Sequence, residues 1–157
     1  MSGRSTPVTQ VATRAGIDFT LHDYVHDPSA DSYALEAATA LAVDPERVLK
    51  TLIVAVGEIL TACILAASAT LDLRALGNHA ALAPTPRAER VTGYVAGGIS
   101  PLGQRRALPT LVDEGALAHD TVFVSAGRRG LEIELAPGDL VTLTEARVRR
   151  LRRDDAG

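Results

Sequence analysis

The stretch VLKTLIVAVGEILTACILA, residues 48–66, decides the fold of this 157-residue chain. Its two runs, residues 48–56 and 59–66, have the length of strands and are largely apolar or β-branched, and Gly57-Glu58 between them is a turn signal. Apolar runs of this length joined by a two-residue turn are typical of a β-hairpin. The pattern predicts that this hairpin forms the centre of a sheet.

Helical and extended patterns alternate on the N-terminal side of the hairpin. Residues 6–15 carry apolar positions at helical spacing, which predicts a short amphipathic helix. Polar and apolar residues alternate over residues 19–25, as in a half-buried strand. A second helix is predicted from a cap at Asp31 or Ser32 through Leu41.

The alternation continues on the C-terminal side. Short helices are predicted at residues 71–76 and 86–91, and strands at residues 110–113, 121–125 and 131–135. Gly138-Asp139 is interpreted as a turn, and residues 147–153, with five arginines, as a solvated helix end; nucleic-acid contact is the less favoured interpretation of this segment. Without an internal repeat or linker, the chain is interpreted as one α/β domain, residues 1–157.

The composition narrows the class of protein. The net charge of −3 excludes a strongly basic, free-standing nucleic-acid binder whose affinity comes from neutralising phosphates. The single cysteine cannot form an internal disulfide, and the N-terminal residues lack a continuous apolar segment, so we expect a cytoplasmic protein. The longest apolar runs are far shorter than a membrane-spanning helix, which argues against membrane insertion.

The sequence does not favour a metal site or a protein nucleophile. His22 and His26 would lie about 13 Å apart in a strand, too far to share a metal ion, and are interpreted as satisfied polar residues. Cys63 lies inside an apolar strand, where a thiol usually packs as a small hydrophobic group. We therefore expect neither a metal nor a cofactor.

Three polar groups of residues remain as candidates for a site. Lys50, followed by Thr51, is the only lysine among 16 basic residues and starts an otherwise apolar strand. Residues 97–103 form a glycine-rich turn whose amides could bind a carbonyl oxygen. Residues 125–130 place two arginines between glycines after a strand, an arrangement suited to a phosphate or a ribose.

Four segments in collinear order resemble one known family. They are HDYVHD at residues 22–27, VLKTLIVAV at 48–56, GYVAGGISPLGQ at 93–104 and VSAGRRGLEI at 124–133. Together they closely resemble the YbaK/EbsC family of aminoacyl-tRNA deacylases. The resemblance implies a compact α/β domain with a mixed, barrel-like sheet and surrounding helices, related to the editing domain inserted in bacterial prolyl-tRNA synthetases.

The resemblance also implies roles for ten residues. Lys50 and Thr51 would hold the 3′ end of the substrate, and Gly97, Gly98 and Pro101 would form the backbone turn at the ester. The other substrate-binding residues would be Tyr24, Ser100, Ser125, Arg129 and Glu132. Glu132 stands where the family usually has Asp.

Members of this family remove cysteine wrongly attached to the proline tRNA, through attack of the cysteine thiol on its own ester. The resemblance therefore implies aminoacyl-tRNA as substrate and prolyl-tRNA synthetase as a transient partner. Two alternatives stay open. One is an alanine-tRNA(Pro) deacylase of the same fold, and the other is a non-catalytic module that binds an aminoacyl or nucleotide group.

Overall fold

The computed structural model describes residues 4–27, 29–30 and 32–154. Its elements are, in chain order, α1 Pro7–Ala15, β1 Phe19–Asp23, α2 Tyr33–Leu41, β2 Leu49–Val56, β3 Ile59–Ala66, α3 Leu73–Leu76, β4 Ala81–Leu82, α4 Thr85–Thr92, β5 Thr110–Asp113, a 3-10 helix Glu114–Ala118, β6 Val122–Arg128, β7 Leu131–Leu135, α5 Pro137–Thr144 and β8 Arg147–Arg149. The mixed α/β class predicted from the sequence is confirmed.

The predicted hairpin lies at the centre of a five-stranded sheet of order β4-β2-β3-β5-β8. β2 and β3 pair antiparallel over their full length, whereas β5 and β8 join the sheet in parallel. A second sheet has the order β1-β7-β6 and is antiparallel. The prediction of a central hairpin is therefore confirmed.

The two sheets meet without closing into a barrel. An isolated parallel bridge joins Val48, just before β2, to Phe123 in β6. Further along, β2 acquires β4 as its outer neighbour, at Val54 and Ala55. Between these two points no described strand pairs with the outer edge of β2. The sheets thus diverge along residues 49–53, which leaves room for a cavity.

A shared hydrophobic core holds the two sheets together. Ile64 and Val112 of the larger sheet and Val124 and Ile133 of the smaller sheet are fully buried in one cluster. Fully burying a side chain of this size stabilises the fold by about 1.5 to 3 kcal/mol. The core therefore fixes the relative position of the strands that line the site.

The first two helices begin with the side-chain caps expected from the sequence. Thr6 and Thr9 form a reciprocal capping box at the start of α1. The hydroxyl of Ser32 accepts a hydrogen bond from the amide of Leu35 and so caps α2. Asp31, the other predicted cap, lies outside the described residues.

Two predictions for the C-terminal region are wrong. Gly138-Asp139 is not a turn, because Pro137 starts α5 and places both residues in its first turn, where an acidic side chain suits the helix dipole. Residues 147–153 are not a helix end. α5 ends at Glu145, which adopts a left-handed conformation, and the chain then adds β8 to the sheet.

Asp113 explains why the C-terminal segment is extended. Its carboxylate is almost fully buried and accepts hydrogen bonds from the amides of Leu151 and Arg152 and from the guanidinium of Arg152. These bonds tether residues that follow β8 to the end of β5. The local charge pattern does not show this long-range contact, and the sequence therefore predicted the wrong structure.

Candidate active site

A cavity of about 360 Å³ lies beside the unpaired edge of β2. Five consecutive residues of that strand, 49–53, contribute to its lining. The other lining residues come from the start of α2, β4 and the residues after it, α4, the turn before Ser100, and the paired strands β6 and β7: Ser32, Tyr33, Ala34, Leu82, Ala83, Thr85, Ala88, Ala96, Gly97, Ile99, Ser125 and Glu132. Segments distant in sequence therefore meet where the sheets diverge.

Five of the ten predicted site residues line this cavity, namely Lys50, Thr51, Gly97, Ser125 and Glu132. The other five, Tyr24, Gly98, Ser100, Pro101 and Arg129, are not among the lining residues. They lie next to residues that do line it. The substrate contacts predicted for these five residues stay a prediction.

The Lys50 ammonium is held at the boundary of the cavity. Its Nζ donates hydrogen bonds to the carbonyl oxygens of Ala67, at 3.3 Å, and Ala69, at 2.5 Å. Burial lowers the pKa of Lys50 from its usual value, because a half-buried ammonium loses hydration. Two of the three ammonium protons are thus engaged by carbonyl oxygens.

A tight turn at residues 95–98 forms another part of the wall. The Gly98 amide donates to the carbonyl of Val95, at 2.8 Å, and Gly97 has a φ of +87°, a conformation that favours glycine. The Gly98 amide is thus engaged within the turn. The Gly97 amide has no acceptor among the described residues and lies at the cavity wall.

Arg129 and Tyr33 brace this turn. The Arg129 Nε donates to the carbonyl of Ala96, at 2.6 Å, and its guanidinium carbon lies 5.1 Å from the centre of the Tyr33 ring. From the other side, the Ala96 amide donates to the Glu89 carboxylate, at 2.7 Å. A Cβ atom on Gly97 would lie 2.7 Å from the Arg129 Nε and 2.8 Å from the Tyr33 ring, so a larger residue would displace these two side chains.

Ser100 and Pro101 are buried behind the turn. The Ser100 hydroxyl accepts a hydrogen bond from the amide of Leu102, and its carbonyl accepts one from the Gln104 side chain. The Tyr94 hydroxyl donates to the carbonyl of Leu102, at 2.6 Å. These bonds fix the shape of the glycine-rich loop around Ser100.

Glu132 is a buried acid that faces the cavity. It is 6% exposed and is paired with Ser125 across β6 and β7, and its carboxyl accepts no hydrogen bond from any described residue. Burial raises its pKa to about 8, so the carboxyl is largely protonated at neutral pH. The pKa of Tyr24 rises to about 12, chiefly through burial and then through the nearby Glu132.

The raised pKa of Glu132 predicts a pH dependence of stability. An unfolded glutamate ionises near pH 4.5 and the folded one near pH 8, so the folded state binds more protons between these values. The free energy of unfolding should fall as the pH rises from 4.5 to 8. Glu132→Gln should remove this fall, which is on the order of 5 kcal/mol at most. Urea unfolding at pH 5.5 and pH 8 measures it.

Glu134 provides a matched control two residues along the same strand. A hydrogen bond from Thr121 and the contact with His22 lower the pKa of this carboxyl. The stability that Glu134 contributes is present above its unfolded pKa and lost as the pH falls. Glu134→Gln should therefore not remove the fall above pH 5.5. An unchanged pH profile in Glu132→Gln would contradict the assignment of a neutral buried acid.

The two candidate histidines are satisfied by carboxylates, as predicted. The His22 Nε2 lies 2.8 Å from Glu134, and the His26 Nδ1 lies 2.9 Å from Glu36. Within residues 4–27, 29–30 and 32–154, no cluster of three or more metal-binding side chains occurs. Neither histidine lines the cavity.

Cys63 packs in the core, as predicted. It has no exposed surface and belongs to the main hydrophobic cluster, and burial raises its pKa to about 11. We expect Cys63→Ala to lower stability by about 1 kcal/mol, because it removes one small buried group. Catalytic activity should stay within twofold of the wild type in a deacylation assay. If a folded Cys63→Ala variant lost more than tenfold in activity, the Cys63 thiol would take part in the reaction.

Sequence reasoning missed the residues that cover the cavity. Tyr33, Leu82 and Ala88 look like ordinary helix or loop residues, and β4 is only two residues long. They become part of the cavity lining only because the fold brings them to the edge of β2. One available signal is Thr85-Pro86, which starts α4 and thereby sets where this helix crosses the sheet.

Together these features define a class of protein. The lining of one cavity includes Lys50, Gly97, Ser125 and Glu132, which carry an ammonium, a backbone amide, a hydroxyl and a neutral carboxyl. The aminoacyl-tRNA editing domain family matches residues 27–143, about three quarters of the chain. The chain belongs to this family. The resemblance found in the sequence is therefore confirmed, and the protein is an aminoacyl-tRNA editing domain.

One curated relative is similar to this chain in sequence, and two solved structures, each under 25% identical, share its fold. The chain is 34% identical over 125 residues to the "Putative Cys-tRNA(Pro)/Cys-tRNA(Cys) deacylase EbsC" of Enterococcus faecalis, covering 74% of this chain and 75% of the relative. A solved structure described as "a putative trans-editing enzyme for prolyl tRNA synthetase" has a TM-score of 0.81 at 23% identity, covering 98% of this chain and 99% of the other. A structure described as a hypothetical protein has a TM-score of 0.83 at 24% identity, covering 94% of this chain and 100% of the other.

The described residues contain no helix able to cross a bilayer.

Proposed function

We propose that the protein removes cysteine from mischarged tRNA(Pro). The observation that carries the proposal is the meeting of Lys50, Gly97 and the Ser125-Glu132 pair around one cavity of about 360 Å³. This volume is at the small end of ligand pockets, which span roughly 300 to 1,000 Å³, and it suits a small aminoacyl group. The Enterococcus faecalis relative, described as a "Putative Cys-tRNA(Pro)/Cys-tRNA(Cys) deacylase", supports cysteine as the amino acid.

The proposed reaction uses the thiol of the substrate as nucleophile. The cysteine sulfur attacks its own ester carbonyl, so that a C–S bond forms and the C–O bond to the tRNA ribose breaks. The thiol proton ends on the ribose oxygen, and a cyclic thioester leaves. Holding the thiol against the carbonyl is a positioning task, and well-oriented intramolecular reactions gain roughly 7 to 11 kcal/mol.

Each lining residue has a place in this proposal. Lys50 and Thr51 hold the 3′ end of the tRNA, with the free proton of the ammonium directed at the ester. The Gly97 amide stabilises the developing oxyanion. Ser125 and the neutral Glu132 hold the polar end of the aminoacyl group, because a protonated carboxyl can both donate and accept a hydrogen bond.

The other five predicted residues do not line the cavity, and in this proposal they position the residues that do. Gly98, Ser100 and Pro101 shape the loop that presents Gly97, and Arg129 braces the same turn. Tyr24 lies close enough to Glu132 for the two groups to interact electrostatically, and its amide donates to the carbonyl of Gly130. We assign these residues to positioning.

The test compares three tRNA(Pro) substrates that carry cysteine, alanine or 2-aminobutyrate. Replacing the thiol of cysteine by a methyl group gives 2-aminobutyrate, which has a similar size and no nucleophile. Rapid loss of cysteine alone is the expected result. Equal loss of cysteine and 2-aminobutyrate would show that water, and not the substrate thiol, is the nucleophile. Loss of alanine alone would favour the alanine-tRNA(Pro) alternative. No loss of any amino acid would favour the non-catalytic binding module.

Prolyl-tRNA synthetase is the proposed partner. The net charge of −3 gives the domain little long-range attraction for tRNA, and the solved relative is described as acting for that synthetase. We expect the isolated domain to bind tRNA weakly and with strong salt dependence, and the synthetase to raise deacylation at low tRNA concentration. Nanomolar affinity of the isolated domain at physiological salt would contradict this expectation.

A further inference from the structure

One edge of the five-stranded sheet carries a concentration of exposed arginines. Arg147 and Arg149 lie on β8, the last strand of that sheet, Arg153 follows it and Arg74 lies on α3. All four side chains are exposed. We call these four residues the arginine edge.

The arginine edge keeps its positive charge. Its neighbours are neutralised, because Arg150 pairs with Asp154, and Arg152 pairs with Glu46 and Asp113. By contrast, none of the four arginines has an ion pair with a described carboxylate, and the contact of the Arg149 guanidinium is with the carbonyl of Ala75. A local excess of cations on a chain with net charge −3 indicates a specific anionic partner.

The register of the sheet gives these charges a regular spacing. Arg147 pairs with Leu111 and Arg149 with Asp113, so their side chains leave the same face of β8. Two residues along a strand correspond to about 6.6 Å. The contact of Arg149 with the carbonyl of Ala75 brings α3, and with it Arg74, to the same edge. The arrangement therefore has two arginines on one face of β8 and two more on neighbouring segments of the chain.

The arginine edge is connected to the cavity through two adjacent residues. The Lys50 ammonium donates to the carbonyl of Ala69, and the amide of Arg153 donates to the carbonyl of Thr70, at 2.7 Å. Because Ala69 and Thr70 are neighbours in the chain, the Lys50 ammonium and the backbone of Arg153 lie on the order of 10 Å apart. The cavity lies beside β2 and the arginine edge beside β8, three strands away, so an extended polyanion that ends in the cavity must span roughly 14 Å to reach these arginines.

We propose that the arginine edge binds phosphates of the tRNA acceptor arm while the aminoacylated terminal nucleoside occupies the cavity. This inference rests on the proposed function, because that function supplies the aminoacyl end. Guanidiniums pair well with phosphates through two parallel hydrogen bonds. Such contacts position the nucleic acid without reading its sequence, and selection of tRNA(Pro) is left to other contacts.

The test is binding of uncharged tRNA as a function of salt concentration. Arg147→Gln/Arg149→Gln removes two charges from the edge, and Arg14→Gln/Arg106→Gln removes two exposed arginines outside it. Each lost phosphate contact should lower the slope of log K against log salt by about 0.7 to 0.9. We expect the first variant to lose about 1.5 units of slope and about tenfold in affinity at low salt, and the second to match the wild type.

A second pair of variants and a short substrate complete the test. Arg74→Gln/Arg153→Gln should repeat the loss of slope, and thermal unfolding checks that each variant folds. Cysteine esterified to a CCA trinucleotide should be cleaved normally by both edge variants, because it lacks the acceptor arm. Equal slopes for edge and control variants would overturn the inference. If the wild type cleaves no ester, the proposed function fails, and the binding data still decide the role of the arginine edge.

Discussion

Replacing Lys50 by alanine should lower the deacylation of Cys-tRNA(Pro) by about 100- to 1,000-fold. Loss of one preorganised donor to a developing oxyanion typically costs this much. The ammonium is fixed by the carbonyls of Ala67 and Ala69, so its direction is set before the substrate arrives. Single-turnover deacylation under saturating enzyme measures the chemical step apart from tRNA binding.

Lys50→Arg tests whether charge alone suffices. A planar guanidinium cannot occupy the position of a compact ammonium between two carbonyls and also reach the ligand, so we expect activity close to that of Lys50→Ala. A primary ammonium such as methylammonium should partly restore Lys50→Ala if the missing group acts in the cavity. Full activity of Lys50→Arg would show that any positive charge at this position is sufficient. An active Lys50→Ala would remove it from the mechanism.

Gly98→Ala should be the second most damaging single change. A Cβ atom at this position would lie 2.7 Å from the Cα of Arg128 and 3.1 Å from two further backbone atoms of that residue. Backbone cannot rotate away as a long side chain can, so the turn at residues 95–98 and the end of β6 must separate. We expect about a 100-fold loss of single-turnover rate, because the Gly97 amide moves with the turn.

Gly138→Ala is the matched control for this change. A Cβ atom at Gly138 would meet no atom within 4 Å, and the residue lies in the first turn of α5. Its activity should equal that of the wild type, and its stability should be equal or slightly higher. If Gly98→Ala were as active as Gly138→Ala, contact between the turn and the end of β6 would not matter for catalysis.

The sequence predicted the parts of the fold that depend on local pattern. The hairpin at residues 48–66 matches β2 and β3 closely, because its apolar runs and two-residue turn are local signals. The helix over residues 86–91 is likewise part of α4. By contrast, β8 joins the sheet through Asp113 and β5, more than thirty residues earlier in the chain. A charge run cannot reveal such a partner.

The candidate site shows the same division. Lys50 stood out because a lone lysine in an apolar strand needs a reason, and it lines the cavity. The glycine-rich loop was expected to offer several free amides, but the Gly98 amide is hydrogen-bonded to the Val95 carbonyl within the turn. The neutral state of Glu132 was not predictable, since it depends on how fully β6, β7 and the cavity wall remove the carboxyl from water.

The late position of β8 in the chain has a consequence for protein synthesis. β5 pairs with β3 on one side and with β8 on the other, and both pairings join distant parts of the chain. During translation the buried Asp113 carboxylate has the nearby Gly115 amide as a donor, but it gains its other hydrogen bonds only once residues 151 and 152 have left the ribosome. Long-range parallel pairing is also slow to form. The segment that holds Lys50 is bonded to these same late residues, so the editing site should mature only after synthesis has passed them.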